Sequence, residues 1–361
     1  MPHRCPFPTA RPLPAALLVV LPLLLVPHGA GAQADCGTPG TMTVKTPDGR
    51  GTTKTATRVF ADGSVAVRAR LAVNPDGGAA SYTVGDAGFT YIANGLDRWS
   101  GGQTTSCQAG GCRPDFLKAE AMGFGPGSPA FCVYAIEVDP FTEGGSRTAC
   151  GPGKWVVGDG LGKPRPGPVV EGLSGQPVRT YRSMTSVTHR VGGETRYLDA
   201  ETLPIAVAPA REYLGKLVWV GGAGFTPALA LIGDRGPAFG EGSIALHQLL
   251  RTGTVTRQKP GPIPRDQRCG PGEMDLKPPF ISRPGGGSAD RCRPGRTPTT
   301  ASDVRAYQGI DAALDFVILG QAALPRKGMA MQEEVSLQSM AAAAAAYTPE
   351  RIQQMLACLP K

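Results

Sequence analysis

The chain has few of the side chains that hold metals, cradle phosphates or grip nucleic acid. Of its four histidines, two fall in the N-terminal leader described below, leaving His189 and His247. No Cys-x-x-Cys pair occurs, so a zinc site has no ligands at a usable spacing, and no metal or other cofactor is expected. Aromatic residues make up 6% of the chain. The basic residues are scattered rather than run together, so nothing supports nucleic acid as a partner. There is no phosphate loop and no dinucleotide fingerprint, since the glycine-rich stretch 221–228 lacks the strand-to-helix setting such motifs require. Ser243 is not in a Gly-x-Ser-x-Gly elbow and reads as a helix N-cap. Beyond the leader, no apolar run reaches membrane-spanning length.

The leader has the order of a secretory signal. Arg4 and Arg11 precede the apolar run LLVVLPLLLV (17–26), and small residues follow in an Ala-x-Ala pattern. Residues 1–32 are therefore expected to be removed, with cleavage after Ala32 or Ala34, and the mature chain to have no membrane attachment. That places the protein outside the cell, or in the periplasm of a host with an outer membrane. Nine cysteines become eight once Cys5 is lost. An even number in an exported chain reads as disulfides. Neighbours that flank loops suggest Cys107–Cys112, Cys132–Cys150 and Cys269–Cys292. The mature charge is +6, from 35 basic and 29 acidic residues.

Glycine (50) and proline (35) are abundant and punctuate short apolar segments, which favours a loop-rich, mainly β fold. SVAVRARLAV (64–73) alternates apolar residues with Arg68 and Arg70, giving a strand with one buried face. The Asp76–Gly77 turn follows. Residues 100–115 read as loop. Further strands are expected at 131–138, 154–160, 177–187, 202–209, 216–222 and 227–234, with one helix at 242–253. Short strands at this spacing indicate a compact barrel or sandwich over 33–255. After about residue 255 the chain turns Pro/Gly-rich and basic. Segments 301–321 and 331–359 are helical by pattern and propensity. Residues 256–361 are thus expected to form a helical, disulfide-containing extension packed on the β core.

The segment IGDRGPAFGEGSIALHQLL (232–250) sets Asp234 and Glu241 on a glycine-rich turn between strand and helix. Such a turn permits the roughly 6.5–9.5 Å carboxylate separation used by inverting glycosidases. A turn role for Asp234 and a helix-start role for Glu241 fit the same spacing. His247 and the isolated His189 read as packed or surface residues.

Three ordered segments carry a resemblance. IGDRGPAFGEGSIALHQLL resembles the hallmark segment of the fungal-type chitosanases, glycoside hydrolase family 75. TYRSMTSVTHRVGGETRYLDAETLPIAVAP (180–209) is similar to that family's stretch ending in Asp-Ala-x-x-x-Pro and an apolar strand. FADGSVAVRARLAVNPDGGAASYTVGDAGFTYIANG (60–95) resembles its N-terminal strand, Asp-Gly turn and Tyr-containing loop. The resemblance implies a compact barrel of double-psi type and a secreted, endo-acting, inverting hydrolase of chitosan or a related amino-sugar polysaccharide. It implies that Asp234 and Glu241 carry the chemistry. Proximity to Asp234 favours Glu241 as the acid, against the helix dipole, leaving Asp234 as the base. The Asp-to-Glu loop is shorter than the family's, and residues 256–361 have no counterpart there.

Asp199, Tyr82, Tyr91 and Trp99 are candidate sugar-binding residues. A loop role for Asp199 and core roles for the aromatics are the alternatives. A polycationic substrate calls for a locally acidic groove, to which Asp76, Asp86, Asp97, Asp199 and Glu201 are candidate contributors. A non-hydrolytic polysaccharide-binding or wall-associated protein on the same scaffold is the rival function, and a disulfide-rich structural protein a third. The oligomeric state is not legible.

Overall fold

The alternation over 65–73 does what its period predicts. Val65, Val67, Ala69 and Leu71 are buried, and Arg68 on the opposite face pairs with Asp315, Nε to Oδ1 2.8 Å. In this computed structural model the described residues are 36–46, 51–84, 90–107, 112–139, 148–171, 177–255 and 310–360. The main sheet has eight strands. They are β1 (Thr38–Lys45), β2 (Thr52–Val59), β3 (Val65–Val73), β4 (Ile205–Ala208), β5 (Lys216–Gly222), β6 (Phe225–Arg235), β7 (Glu241–Gly242) and β8 (Ile310–Ala323).

Six of these close into a barrel in the order β3-β7-β4-β6-β5-β8 and back to β3, while β1 and β2 continue from β3. The pairs β3–β7 and β4–β6 are parallel and the other four barrel pairings antiparallel. Closure removes the exposed edges that a sheet of this length would otherwise present. The mainly β barrel expected from the sequence is present.

The segment 301–321 is corrected. From Ile310 onward it is strand, not helix, while 301–309 lie outside the described residues. Alanine-rich composition favours a helix locally. However, Phe316, Val317, Ile318 and Leu319 are all fully buried, as in a strand covered on both faces, whose continuous apolar run carries no period of two. β3 and β5 supply β8 with hydrogen-bond partners on both sides, and that pairing overrides propensity. Gly320 permits the approach, because a Cβ there would stand 2.2 Å from the Asp62 carbonyl oxygen. The barrel therefore draws strands from both sides of residue 255.

Helices occur farther on, as expected for 331–359, at Leu337–Ala343 and Pro349–Ala357. They pack Met340, Ile352 and Met355 into the barrel core.

Between β3 and β4 lies a second small core around a five-stranded sheet and a helix, Cys112–Ala121. The loop reading of 100–115 is corrected there to a strand, Gln103–Ser106, and the start of that helix. Lys154–Val157 pairs antiparallel with Ala130–Val133, as the sequence suggests, and Phe116 packs edge-on to Phe124 and Tyr181. Cys107–Cys112 and Cys132–Cys150 are disulfides in this region. A third, Cys36–Cys358, joins the start of the described chain to its end. The expected Cys269–Cys292 pair lies outside the described residues.

Candidate active site

β4 is central to the site. Val207 stands opposite Asp234 of β6 on one side and opposite Glu241 of β7 on the other. Directly opposed residues point to the same face of a sheet, so both carboxylates share a face. Two strand spacings set their α-carbons about 9–10 Å apart.

The turn between them is pinned to β1. The Phe239 N–H donates to the Thr43 carbonyl and the Lys45 N–H to the Phe239 carbonyl, each at 2.9 Å. Gly240 holds the turn at φ +104°, where a Cβ would meet the Arg70 carbonyl oxygen at 2.8 Å. After Glu241, Ser243 caps the helix Ile244–Thr252, accepting from the Leu246 N–H at 3.1 Å, and Gly253 ends it at φ +73°.

The two carboxylates have different surroundings. Asp234 is buried. Its Oδ1 accepts from the Ser186 backbone N–H at 2.9 Å and hydroxyl at 2.6 Å. Its Oδ2 accepts from Asn74 Nδ2 at 3.1 Å. Burial raises its proton affinity, and these donors oppose that rise. Glu241 is partly exposed and forms an ion pair with Lys45, Nζ to Oε1 3.1 Å. Burial raises its pKa, the Lys45 ammonium beside it pulls the other way, and Asp234 adds to the rise.

A third carboxyl group belongs here. Asn74, whose amide nitrogen binds Asp234, also accepts the Asp76 backbone N–H at 2.9 Å. The Tyr82 hydroxyl lies 3.2 Å from Asp76 Oδ1. Burial, then repulsion from Asp234 and Glu241, pushes the Asp76 carboxyl well above the usual carboxylate range.

The turn that carries Asp76 is fastened by Ser183, which accepts the Gly77 N–H at 2.7 Å and donates to the Pro75 carbonyl at 3.2 Å. Asp76 reads from sequence as a turn residue with, at most, a share in an acidic groove. Lys45, Asn74 and Ser186 carry no sequence signal and come to the site only through strand pairing.

The other candidates are placed as follows. Tyr82 is buried and meets the site through its hydroxyl rather than a ring face. Asp199 ties its own turn, accepting from the Glu201 N–H and the Thr202 hydroxyl at 2.9 Å each. Glu201 is buried and accepts the Ala79 N–H at 3.1 Å. Trp99 is half-buried on the five-stranded sheet, in register with Thr104 and Ala130, a different sheet from the one carrying Asp234 and Glu241. Asp97 lies on that same strand, where its Oδ1 accepts the Cys107 N–H at 3.4 Å. The Tyr91 side chain and Asp86 lie outside the described residues. Among the described residues no group of three or more His, Cys, Asp and Glu side chains is arranged to hold a metal ion, and no helix is long and apolar enough to cross a membrane.

No protein-family model matches the chain, and no curated protein matches it at a significant level.

Proposed function

We propose that the chain is an exported glycoside hydrolase that cleaves chitosan or a related amino-sugar polysaccharide, with Asp234 and Glu241 essential to the reaction. The observation that carries this reading is the placement of those two carboxylates on one face, on either side of Val207. That separation suits a mechanism in which water enters between a carboxylate and the sugar. The three ordered segments that resemble family 75 contribute residues to this one place: Asn74 and Asp76 from the first, Ser186 from the second, Asp234 and Glu241 from the third. Three disulfides support export to an oxidising compartment.

The site's charge supports a cationic polymer. Asp76, Asp234 and Glu241 act on one another electrostatically, with Lys45 paired to Glu241, a local acidic focus within a chain of positive net charge. Burial raises the Glu241 pKa and Lys45 opposes the rise, which suits a carboxylate that takes a proton from the attacking water. Asp234, held by donors from Ser186 and Asn74, supplies fixed negative charge beside the oxocarbenium-like transition state.

The test is a reducing-end assay on chitosan of graded acetylation, with peptidoglycan and a neutral β-glucan alongside. Release from chitosan is expected to fall about 10²–10⁴-fold in Glu241→Gln and to vanish into background in Asp234→Asn. Near-wild-type release in either variant overturns the assignment. Binding to a polymer without any release points instead to a non-hydrolytic scaffold.

A further inference from the structure

Hydrolysis needs a proton on the leaving oxygen; burial raises the proton affinity of both carboxylates of the pair, but the groups bonded to them oppose that rise. Glu241 is paired with an ammonium. Asp234 accepts three hydrogen bonds, from two groups of Ser186 and from Asn74, an arrangement that favours the ionised form. Asp76 differs from both. Among the described residues no cation is paired with it. Its side-chain partner is the Tyr82 hydroxyl, which donates to Oδ1. Its backbone is tied to Asn74, the residue that holds Asp234.

We infer that Asp76 is the proton donor of this site, a third carboxyl group fixed by the NPDGG turn and Tyr82 that protonates the leaving glycosidic oxygen. This rests on the hydrolase reading and moves the acid role from Glu241, where the sequence placed it, to Asp76. In the step, the Asp76 O–H proton passes to the glycosidic oxygen. The bond from that oxygen to the anomeric carbon breaks, its electron pair staying on the oxygen. A water oxygen bonds to the anomeric carbon and gives its proton to Glu241. Glu241 ends protonated and Asp76 ionised, and exchange with solvent restores both.

The groups that face Asp76 support this state. Asp234 and Glu241 each disfavour a further negative charge, burial does the same, and Tyr82 alone opposes them. Lys45, the ammonium at this site, is engaged by Glu241. Tyr82 in turn is buried and held neutral.

The turn that presents Asp76 is built for position rather than for tolerance. A Cβ on Gly77 would lie 2.0 Å from the Leu198 carbonyl oxygen. Ser81 and Ser183 bond to each other at 2.7 Å and both donate to the Pro75 carbonyl. A surface hairpin turn has no need of such fastening.

Two measurements on the whole mature protein test the assignment. The first is a carbon-13 titration of aspartate carboxyls without substrate, with Asp76 identified by its loss in Asp76→Asn. The Asp76 signal is expected to stay at the protonated position after exposed aspartates have ionised. Ionisation together with them overturns the inference.

The second compares chitosan with a β-fluoride of a glucosamine oligosaccharide, whose leaving group needs no proton. Asp76→Asn is expected to lose about 10²–10⁴-fold on chitosan and to stay within about tenfold of wild type on the fluoride, while Glu241→Gln fails on both. Activity on the fluoride also shows that the variant is folded. Undiminished chitosan cleavage by Asp76→Asn, or equal loss on both substrates, overturns the proton-donor role and leaves the hydrolase reading intact. A wild-type protein that cleaves neither substrate overturns both.

Discussion

Breaking Cys36–Cys358 should cost more stability than breaking either of the other disulfides found here, and the reason lies in the unfolded chain. A cross-link removes loop-closure entropy from the denatured ensemble in proportion to the logarithm of loop length. The bond spans 322 residues, against 18 for Cys132–Cys150 and 5 for Cys107–Cys112. At 25 °C the corresponding stabilisations are about 6, 3 and 2 kcal/mol. With total stabilities of about 5–15 kcal/mol for ordinary domains, the first figure is a large fraction of what holds the fold.

The bond also has a local effect. Cys36 lies two residues before the start of β1, and β1 ends at Lys45, the partner of Glu241. The Cys358 carbonyl accepts from Arg58 Nε of β2 at 3.0 Å, so the C-terminal helix and the outer strands are fastened at one point.

The assay is urea unfolding of three double variants, each replacing one cysteine pair by alanine. The losses should rank Cys36–Cys358 first, Cys132–Cys150 second and Cys107–Cys112 third. The first variant should also show a larger m value, because its denatured state is freed from a chain-length loop. A ranking in which the 5-residue loop costs as much as the 322-residue one would refute the entropy argument and place the stabilisation in native contacts.

Two further outcomes follow from charges at and near the site. Lys45→Met removes the ammonium that opposes Glu241 protonation, so the acid limb of the pH–rate profile on chitosan should move to higher pH; an unmoved limb would mean that Glu241 is not the base. His247 is buried between the Ser243 and Leu71 carbonyls, its ring nitrogens at 2.9 and 3.1 Å. Burial, helped by Arg251 and opposed by those two carbonyls, brings its pKa from 6.5 down to about 4. Between those values the unfolded chain binds a proton that the folded chain refuses. This contribution is therefore complete above about pH 6.5 and falls by about 3 kcal/mol as pH drops to about 4. Comparing the pH dependence of stability in wild type and His247→Gln isolates it, and parallel curves would contradict the burial argument.

What the sequence makes legible is what adjacent residues decide. The period of two in 65–73, the Ser243 cap, the Gly253 stop and the short disulfide loops are all local, and each appears where the pattern puts it. β8 fails that test because a strand buried on both faces has no alternation to show, and its alanines speak for a helix until β3 and β5 are known to flank it.

The site divides along the same line. Asp234 and Glu241 lie seven residues apart and are found together in one segment, yet their shared face depends on Val207, which neither neighbours in sequence. Asp76 arrives from the turn after β3 and Lys45 from the end of β1, more than 150 residues upstream of the pair they serve. Nothing in NPDGG separates a surface turn from one that faces two carboxylates. The barrel's parallel pairing of β7 with β3 makes that distinction, setting Glu241 opposite Ala72 and Gly242 opposite Val73, so that the turn leaving β3 opens onto the pair. Carboxylates that local sequence reads as solvated acquire their proton affinities from long-range register. The proton affinities of the three acids are therefore properties of the closed barrel rather than of any one segment.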